Sequence, residues 1–547
     1  MVLTDAPEFA DARRLDQPAV RAYRAALASP ERRGFGLGAL AGRATAFLEE
    51  DSLPLAVQTS RAARLETLTF APAGRAGIVQ MVRIEARRAF RFDADWTGSP
   101  RLARAAYTQL TAGGSLGSAD EDALVGRAGN VLFIEDRALR MCAAIALPPA
   151  RVVPAGKAAS FVVAIALHAR RKAAITEATA LARDGRALMK QTTRTRRKYW
   201  TSIAADRPGA APVRRATAYA LDCAASAVGE SAAVLADHVI LPLVWTRDAY
   251  YVCRALLALD PRGRGGDLTA RFLRWCFEVA ERPDDWWPRA SLATGQAKDP
   301  VFQLDQQLYP LLLLEDHARL TGDDAVLRHH SAERDAIVDR LLRKRTAFGL
   351  IATAETPADD PIEAPFHFSS HVLLWRVLRD IAPTAAEEVR LATRTHFADG
   401  DLYAYAVRGA QGDGALRYHD ANDLPTVFAP GWGFCAPDDP RWRATIAFGW
   451  SRENRAYVDG PYGGLGSVHT LHPWPLGDLQ EIVVGRVMRD RARVAAARAR
   501  LRAVRTWDGM LPEAYDQRTG AVASRHWFAW PIALWALLER DPRLTAP

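Results

Sequence analysis

Near residue 170 the spacing of apolar residues changes period, and that change limits what this chain can fold into. Before it, apolar and polar residues alternate; after it, apolar residues recur three and four apart to the C-terminus. Alternation turns one side of a strand inward, whereas the longer period draws an apolar stripe along a helix. A chain that does both in succession is built of two parts. At 547 residues it also exceeds what one ordinary core covers.

The alternating part is clearest at VRIEARRAFRFDADW, residues 82–96. Val82, Ile84 and Ala86 alternate with polar neighbours, the phase slips at Arg87 and Arg88, and it resumes with Phe90, Phe92, Ala94 and Trp96. That reads as a strand with a bulge or a turn at the double arginine. Residues 64–70, 130–136 and 159–169 read as further strands, with Gly, Pro, Ser and Asp between them. Several short strands at this spacing predict an antiparallel β-sandwich over residues 1–170.

Residues 171–212 read as a helical linker that PGAAP, residues 208–212, interrupts. From 213 to 547 we count about ten to twelve helical segments, among them RATAYALDCAASAV, DAYYVCRALLAL, LYPLLLLEDHARL and WPIALWALLER. That number suits paired helices closed into a ring, an all-α (α/α)6 barrel, although periodicity alone does not close one.

Composition excludes several classes. The net charge of +9 comes mostly from dispersed arginine, and the densest run, TRTRRKYW, reads as a solvated helix face. No basic stripe for nucleic acid emerges. No run reaches the ~18 apolar residues of a membrane span, and MVLTDAPEFADARRLDQP has no apolar signal core. Five widely spaced cysteines without a CxxC pair argue against a disulfide framework or a zinc site and suit a cytoplasmic protein. No cofactor or metal is expected. The 15 tryptophans, most of them after residue 245, offer flat faces for packing or for sugar rings.

In the helical half, acids and aromatics gather in loops. LVWTRDAYYV carries Trp245, Arg247 and Asp248, and FQLDQQLYP carries Asp305. Each aspartate precedes a helix and is either an N-cap or a hydroxyl ligand. TAETPADDPIEAPFHF sets Asp359 beside Asp360, with Glu355 and Glu363 nearby. Adjacent carboxylates repel, which holds one of them protonated, unless the loop is only an exposed acidic turn. YHDANDLPTVFAPGWGF brings His419, Asp420, Asn422 and Asp423, whose spacing fits hydroxyl recognition better than a calcium loop. YGGLGSVHTLHPWPL brings His469, His472 and Trp474 after glycines that admit a ligand close to the backbone. It has no phosphate-loop lysine. Last, WDGMLPEAYDQRTGAVASRHWFAW holds Glu513, Arg525, His526 and Trp527.

The ordered series WTRD, FQLDQQLYP, TPADDP, DANDLPTVFAP, GGLGSVHTLHPWPL and PEAYD…SRHWFAW resembles glycoside hydrolase family 125, over roughly residues 235–535. The resemblance implies an inverting, metal-independent exo-α-mannosidase on an (α/α)6 barrel, specific for α-1,6 links. It implies a general acid in the Asp359–Asp360 pair, with Asp359 preferred, and a general base at Glu513. Pro512 and Tyr515 stand where the family has histidine and phenylalanine. A β-rich region before the helices is more similar to bacterial glucoamylases.

An inverting hydrolase sets its two carboxyl groups about 6.5–9.5 Å apart, with a water between base and sugar. On this reading the partner is an oligosaccharide or glycoside. Arg247, Asp248, Asp305, Asp420, Asn422, His469 and Arg525 bind hydroxyls, and Trp245, Trp474 and Trp527 stack on sugar or exclude water. Three alternatives stay open: a glucoamylase-like or debranching α-1,6-glucosidase, a non-catalytic glycan-binding protein, and a lyase or epimerase using His469, His472 or His526.

Overall fold

The protein is described from a computed structural model, which covers residues 44–49, 52–93, 123–137, 139–203 and 210–541, together with short strand segments at 2–4, 36–37, 96–97 and 101–103. It divides into two compact units, residues 1–207 and 208–547.

The first unit is organised on an eight-stranded antiparallel sheet. Its order is Ala123–Ala128, Val131–Asp136, Met141–Ala146, Ala158–His168, Gly77–Ala86, Ala63–Phe70, Leu53–Thr59 and Ala44–Glu49. Gly77–Ala86 explains why the sheet is buried on both faces. Val79 and Met81 point one way into a core shared with Ala174, Ala178 and Leu181 of the helix Arg171–Ser202. Val82, Ile84 and Ala86 point the other way, into a cluster with Phe92 and Val153. The change of side between Met81 and Val82 is one step of the two-residue period.

At Arg87 and Arg88 the chain bends and leaves the sheet, because Phe90–Phe92 pairs with Arg151–Val153 instead. Ala94 lies outside the described residues. The stretch read as a linker is, over Arg171–Ser202, this sheet-packed helix, in which Tyr199 and Trp200 of the basic run are buried. A helix begins again at Ala210, within PGAAP.

Among the described residues the second unit has twelve α-helices. Six of them pack in succession: Thr246–Leu259, Leu304–Thr321, Phe368–Ile381, Leu424–Trp432, Pro475–Val487 and Ala529–Arg540, with the last returning to the first. These six are buried nearly all round; Ala529–Arg540 buries Ala529 through Leu538 without a break. The alternate helices bury only a stripe, as Arg491–Ala503 does with Ala497 and Leu501. A helix apolar on every side belongs inside, and one with a single stripe belongs outside.

One close approach tests this packing. Gly477 lies in the helix Pro475–Val487, where a Cβ would stand 2.1 Å from the backbone oxygen of Leu465. Helix propensity alone favours alanine there by about 1 kcal/mol. The clash is with backbone and cannot be relieved by a rotamer, so Gly477→Ala is expected to lower the thermal unfolding midpoint. An unchanged or raised midpoint would contradict the packing.

Candidate active site

Each of the six inner helices is entered from a loop that carries polar side chains. At five of them the residue before the helix is extended and bulky: Trp245, Gln303, His367, Trp474 and Phe528. Of these only His367 caps with its own side chain, accepting from the amide of Ser370. Asp248 and Asp305 therefore lie within the first turns and are not caps.

Arg247 is the hub. It is 3 % exposed, and its Nη1 donates to Asp305 Oδ2 at 2.9 Å and its Nη2 to Asp359 Oδ1 at 3.3 Å. Its Nε lies 3.6 Å from Asp248 Oδ1, and the guanidinium sits 5.3 Å above the Trp530 ring. Burial works against its charge, but Asp305, Asp359 and Asp248 more than offset that. Burial drives the Asp248 carboxyl up to about 7 despite Arg247 and Arg525, and it also raises Asp305.

The acidic loop folds as a tight turn. Asp359 N donates to Thr356 O and Thr356 N to Asp360 O, and Asp359 sits at φ 64°, in the left-handed region. Gln303 Nε2 reaches both Asp359 Oδ1 (2.8 Å) and Glu355 Oε2 (2.9 Å), and Arg289 Nη1 donates to Glu355 Oε1 at 2.8 Å. Both donors to Asp359 use Oδ1, so among the described residues Oδ2 carries no hydrogen bond. Asp360 turns the other way, and its Oδ1 is 3.1 Å from His469 Nδ1. The adjacent carboxylates thus have a cation each, Arg247 and His469.

Glu513 is 7 % exposed. Ser524 Oγ donates to its Oε2 at 2.6 Å, and Arg525 Nη1 to its Oε1 at 3.4 Å. Arg525, at φ 43°, also donates from Nε to Asp237 Oδ2 at 2.8 Å. Asp237 Oδ1 in turn accepts from the amides of Val239, Ile240 and Leu241. The Asp359–Asp360 loop and the Glu513 loop meet electrostatically at His469. Its imidazole is raised to about 9, first by the bond to Asp360 and then by the charges of Glu513, Asp360 and Asp359, against burial.

Other sequence-selected residues serve different ends. Asp420 accepts at Oδ1 from the amide and the side chain of Asn422 and at Oδ2 from Tyr418, so Asn422 is spent on holding Asp420. Burial and Asp423 raise Asp420 to about 6. His419 binds Gln480. His472 meets Gln517 and His526 meets Asp508, which also takes the Trp527 indole at 2.7 Å. Trp474 is buried and donates to Thr470 O, whereas the buried Trp245 indole NH has no hydrogen bond among the described residues. Sequence reasoning left out Gln303, Asp237 and Ser524. Gln303 was findable two residues before Asp305, but Asp237 lies 288 residues from its arginine and gives no local signal.

The description "metal-independent alpha-mannosidase", glycoside hydrolase family 125, matches residues 327–538. A search of curated proteins finds no match. Among solved structures, a metal-independent α-mannosidase of Streptococcus pneumoniae in a non-productive complex with α-1,6-mannobiose is 19% identical, over 65% of this chain and 99% of that one, with a TM-score of 0.53. A bacterial glucoamylase in complex with acarbose is 12% identical, over 94% of this chain and 89% of that one, with a TM-score of 0.63. The second spans the N-terminal sheet as well as the helices. Together these support a glycoside hydrolase.

The raised imidazole gives a direct check. Its folded-state value lies above the ordinary one of 6.5, so its pairing stabilises the fold fully below that pH and is lost as pH rises through about 9. An NMR titration of the His469 ring should show a midpoint near 9, moving down in Asp360→Asn. A midpoint at 6.5 in the unaltered protein would refute the pairing.

Proposed function

We propose that the protein is an inverting, exo-acting glycoside hydrolase that removes terminal α-linked sugars, as an α-mannosidase acting on α-1,6 links. The observation that carries this reading is the placement of Asp359 on Arg247, Asp360 on His469 and Glu513 on Ser524 and Arg525, on loops that enter a ring of helices. We read that ring as an (α/α)6 barrel and the N-terminal sheet as part of a β-sandwich. The residue match to the α-mannosidase family supports the sugar, and the mannobiose held by the pneumococcal enzyme supports the linkage.

In this mechanism one aspartate of the pair protonates the glycosidic oxygen while the bond from that oxygen to the anomeric carbon breaks. Glu513 takes a proton from a water that attacks the opposite face, giving the inverted anomer. Ser524 and Arg525 aim the Glu513 carboxylate. Asp359 is the preferred acid, because Oδ1 is fixed by Arg247 and Gln303 and Oδ2 is left to face the leaving oxygen. Asp360, paired with His469, binds a sugar hydroxyl. Arg247, Asp248 and Asp305 hold the terminal sugar. A glucoamylase-like α-glucosidase is the second reading, favoured by a glucoamylase fold that covers both units. Five free cysteines suit the reducing cytoplasm.

Glu513→Gln keeps the shape and removes the base, and should cost about 10²–10⁴-fold in kcat on an α-1,6-mannobioside. Wild-type turnover would overturn the base assignment. Asp359→Asn should recover much of its loss on a dinitrophenyl α-mannoside, whose leaving group needs no proton, and Asp360→Asn should not. Rescue of the second variant alone would exchange the two roles. Proton NMR of the first product should show the β-anomer; an unsaturated sugar or an isomerised disaccharide would replace hydrolysis with lyase or epimerase chemistry.

A further inference from the structure

Outside the six loops, one group of side chains among the described residues gathers ligand atoms with no use in the hydrolase. Helix Ala325–Arg343 carries His329 and His330 near its start, and both face Glu278 in the π-helical turn Trp275–Val279. His329 Nε2 and His330 Nε2 each lie 3.5 Å from Glu278 Oε1. The three ligand atoms fall within 4.8 Å of one another.

Neither contact is a good hydrogen bond. His330 is 4 % exposed, and its buried Nε2 has no hydrogen-bond partner among the described residues. Buried polar atoms are rarely left so, and an ion is one of the few things that satisfies them. The ring is not free to turn away. It stacks on Phe277 with centroids 4.7 Å apart and meets the His329 ring edge-on at 4.6 Å.

The spacing suits a metal. Ligands about 2.0–2.1 Å from a tetrahedral zinc stand about 3.3–3.4 Å from each other. Both contacts to Glu278 are within a few tenths of an ångström of that edge. Imidazole and carboxylate donors without a thiolate fit zinc and its divalent transition-metal neighbours, and an ion that prefers an all-oxygen shell fits them less well.

We propose that Glu278, His329 and His330 form a structural binding site for a divalent transition metal, with water completing the shell. The ion would tie the π-helical turn that follows Arg264–Arg274 to the start of Ala325–Arg343. Phe277 in that turn packs edge-on against Trp287, whose backbone holds Gln307 on the helix that bears Asp305. The site would therefore brace one wall of the helical ring and take no part in the chemistry, so it is compatible with hydrolysis that needs no metal.

The test is calorimetric titration of the metal-stripped full-length protein with zinc chloride, with Glu278→Gln and His329→Gln alongside. Glu278 and His329 are exposed, so both variants should fold, which circular dichroism checks. One ion per chain is expected. Each variant should bind at least about tenfold more weakly, since losing an outer-shell partner alone costs that much. Bound cobalt should show visible bands without a thiolate charge-transfer band, which separates this site from the cysteines. No stoichiometric binding, or binding that both variants leave intact, would overturn the proposal.

Discussion

One buried cation holds the site together. Arg247 has no water to solvate it, so its charge persists only if anions stand around it. It finds them in Asp305, in the first turn of a second inner helix, in Asp359, in the loop that enters a third, and in Asp248 one residue along its own chain. Losing the guanidinium would leave carboxylates facing each other, so the three segments cannot separate without a large electrostatic cost. The Trp530 ring beneath it adds a fourth element.

The inner helices add a second layer to this field. Most of their entry residues are large and extended, and only His367 among the five turns its side chain back to cap. The first amides of a helix carry partial positive charge and need acceptors. At these ends the acceptors are in part side chains of other segments: Gln306, in the helix Leu304–Thr321, takes the amide of Arg247 and Thr353 that of Leu304. A ring of such ends favours carboxylates and hydroxyl-rich ligands, which is why acids collect where the sequence puts tryptophan, glutamine or histidine before a helix.

Much of this was legible in the chain. The change of period separates sheet from helices and the count of helical segments matches; of the acids chosen from the loops, Asp248, Asp305 and Asp359 meet Arg247 and Asp360 meets His469, whereas Asp420 is engaged by Tyr418 and Asn422. Three things were not legible. Val82, Ile84 and Ala86 read as the buried face of a one-sided strand, yet Gly77–Ala86 buries both faces, because the helix Arg171–Ser202 covers the other. Asp420 and Asn422 read as two hydroxyl ligands, yet Asn422 is the clamp of Asp420. Asp237 carries no signal in its own segment and anchors Arg525 across 288 positions. In each case the deciding contact is long-range or between side chains, and spacing along one segment does not record it.

The adjacent aspartates show what geometry adds to sequence. Repulsion between neighbouring carboxylates suggests that the pair shares a proton, but the structure turns them apart and supplies each with its own cation. What distinguishes them is anchoring. Asp359 occupies a left-handed backbone conformation that a non-glycine residue adopts at a cost of about 1–3 kcal/mol. The turn bonds to Thr356 and the donors Arg247 and Gln303 hold it there. Arg525, the partner of Glu513, is held in the same region. Positive φ at non-glycine residues also occurs away from these loops, at Arg140, Gln411 and Arg489, so it is the anchoring that sets Asp359 apart. On the proposed mechanism that anchoring holds one carboxyl oxygen of Asp359 for a leaving oxygen, and Arg525 holds Glu513 for a water.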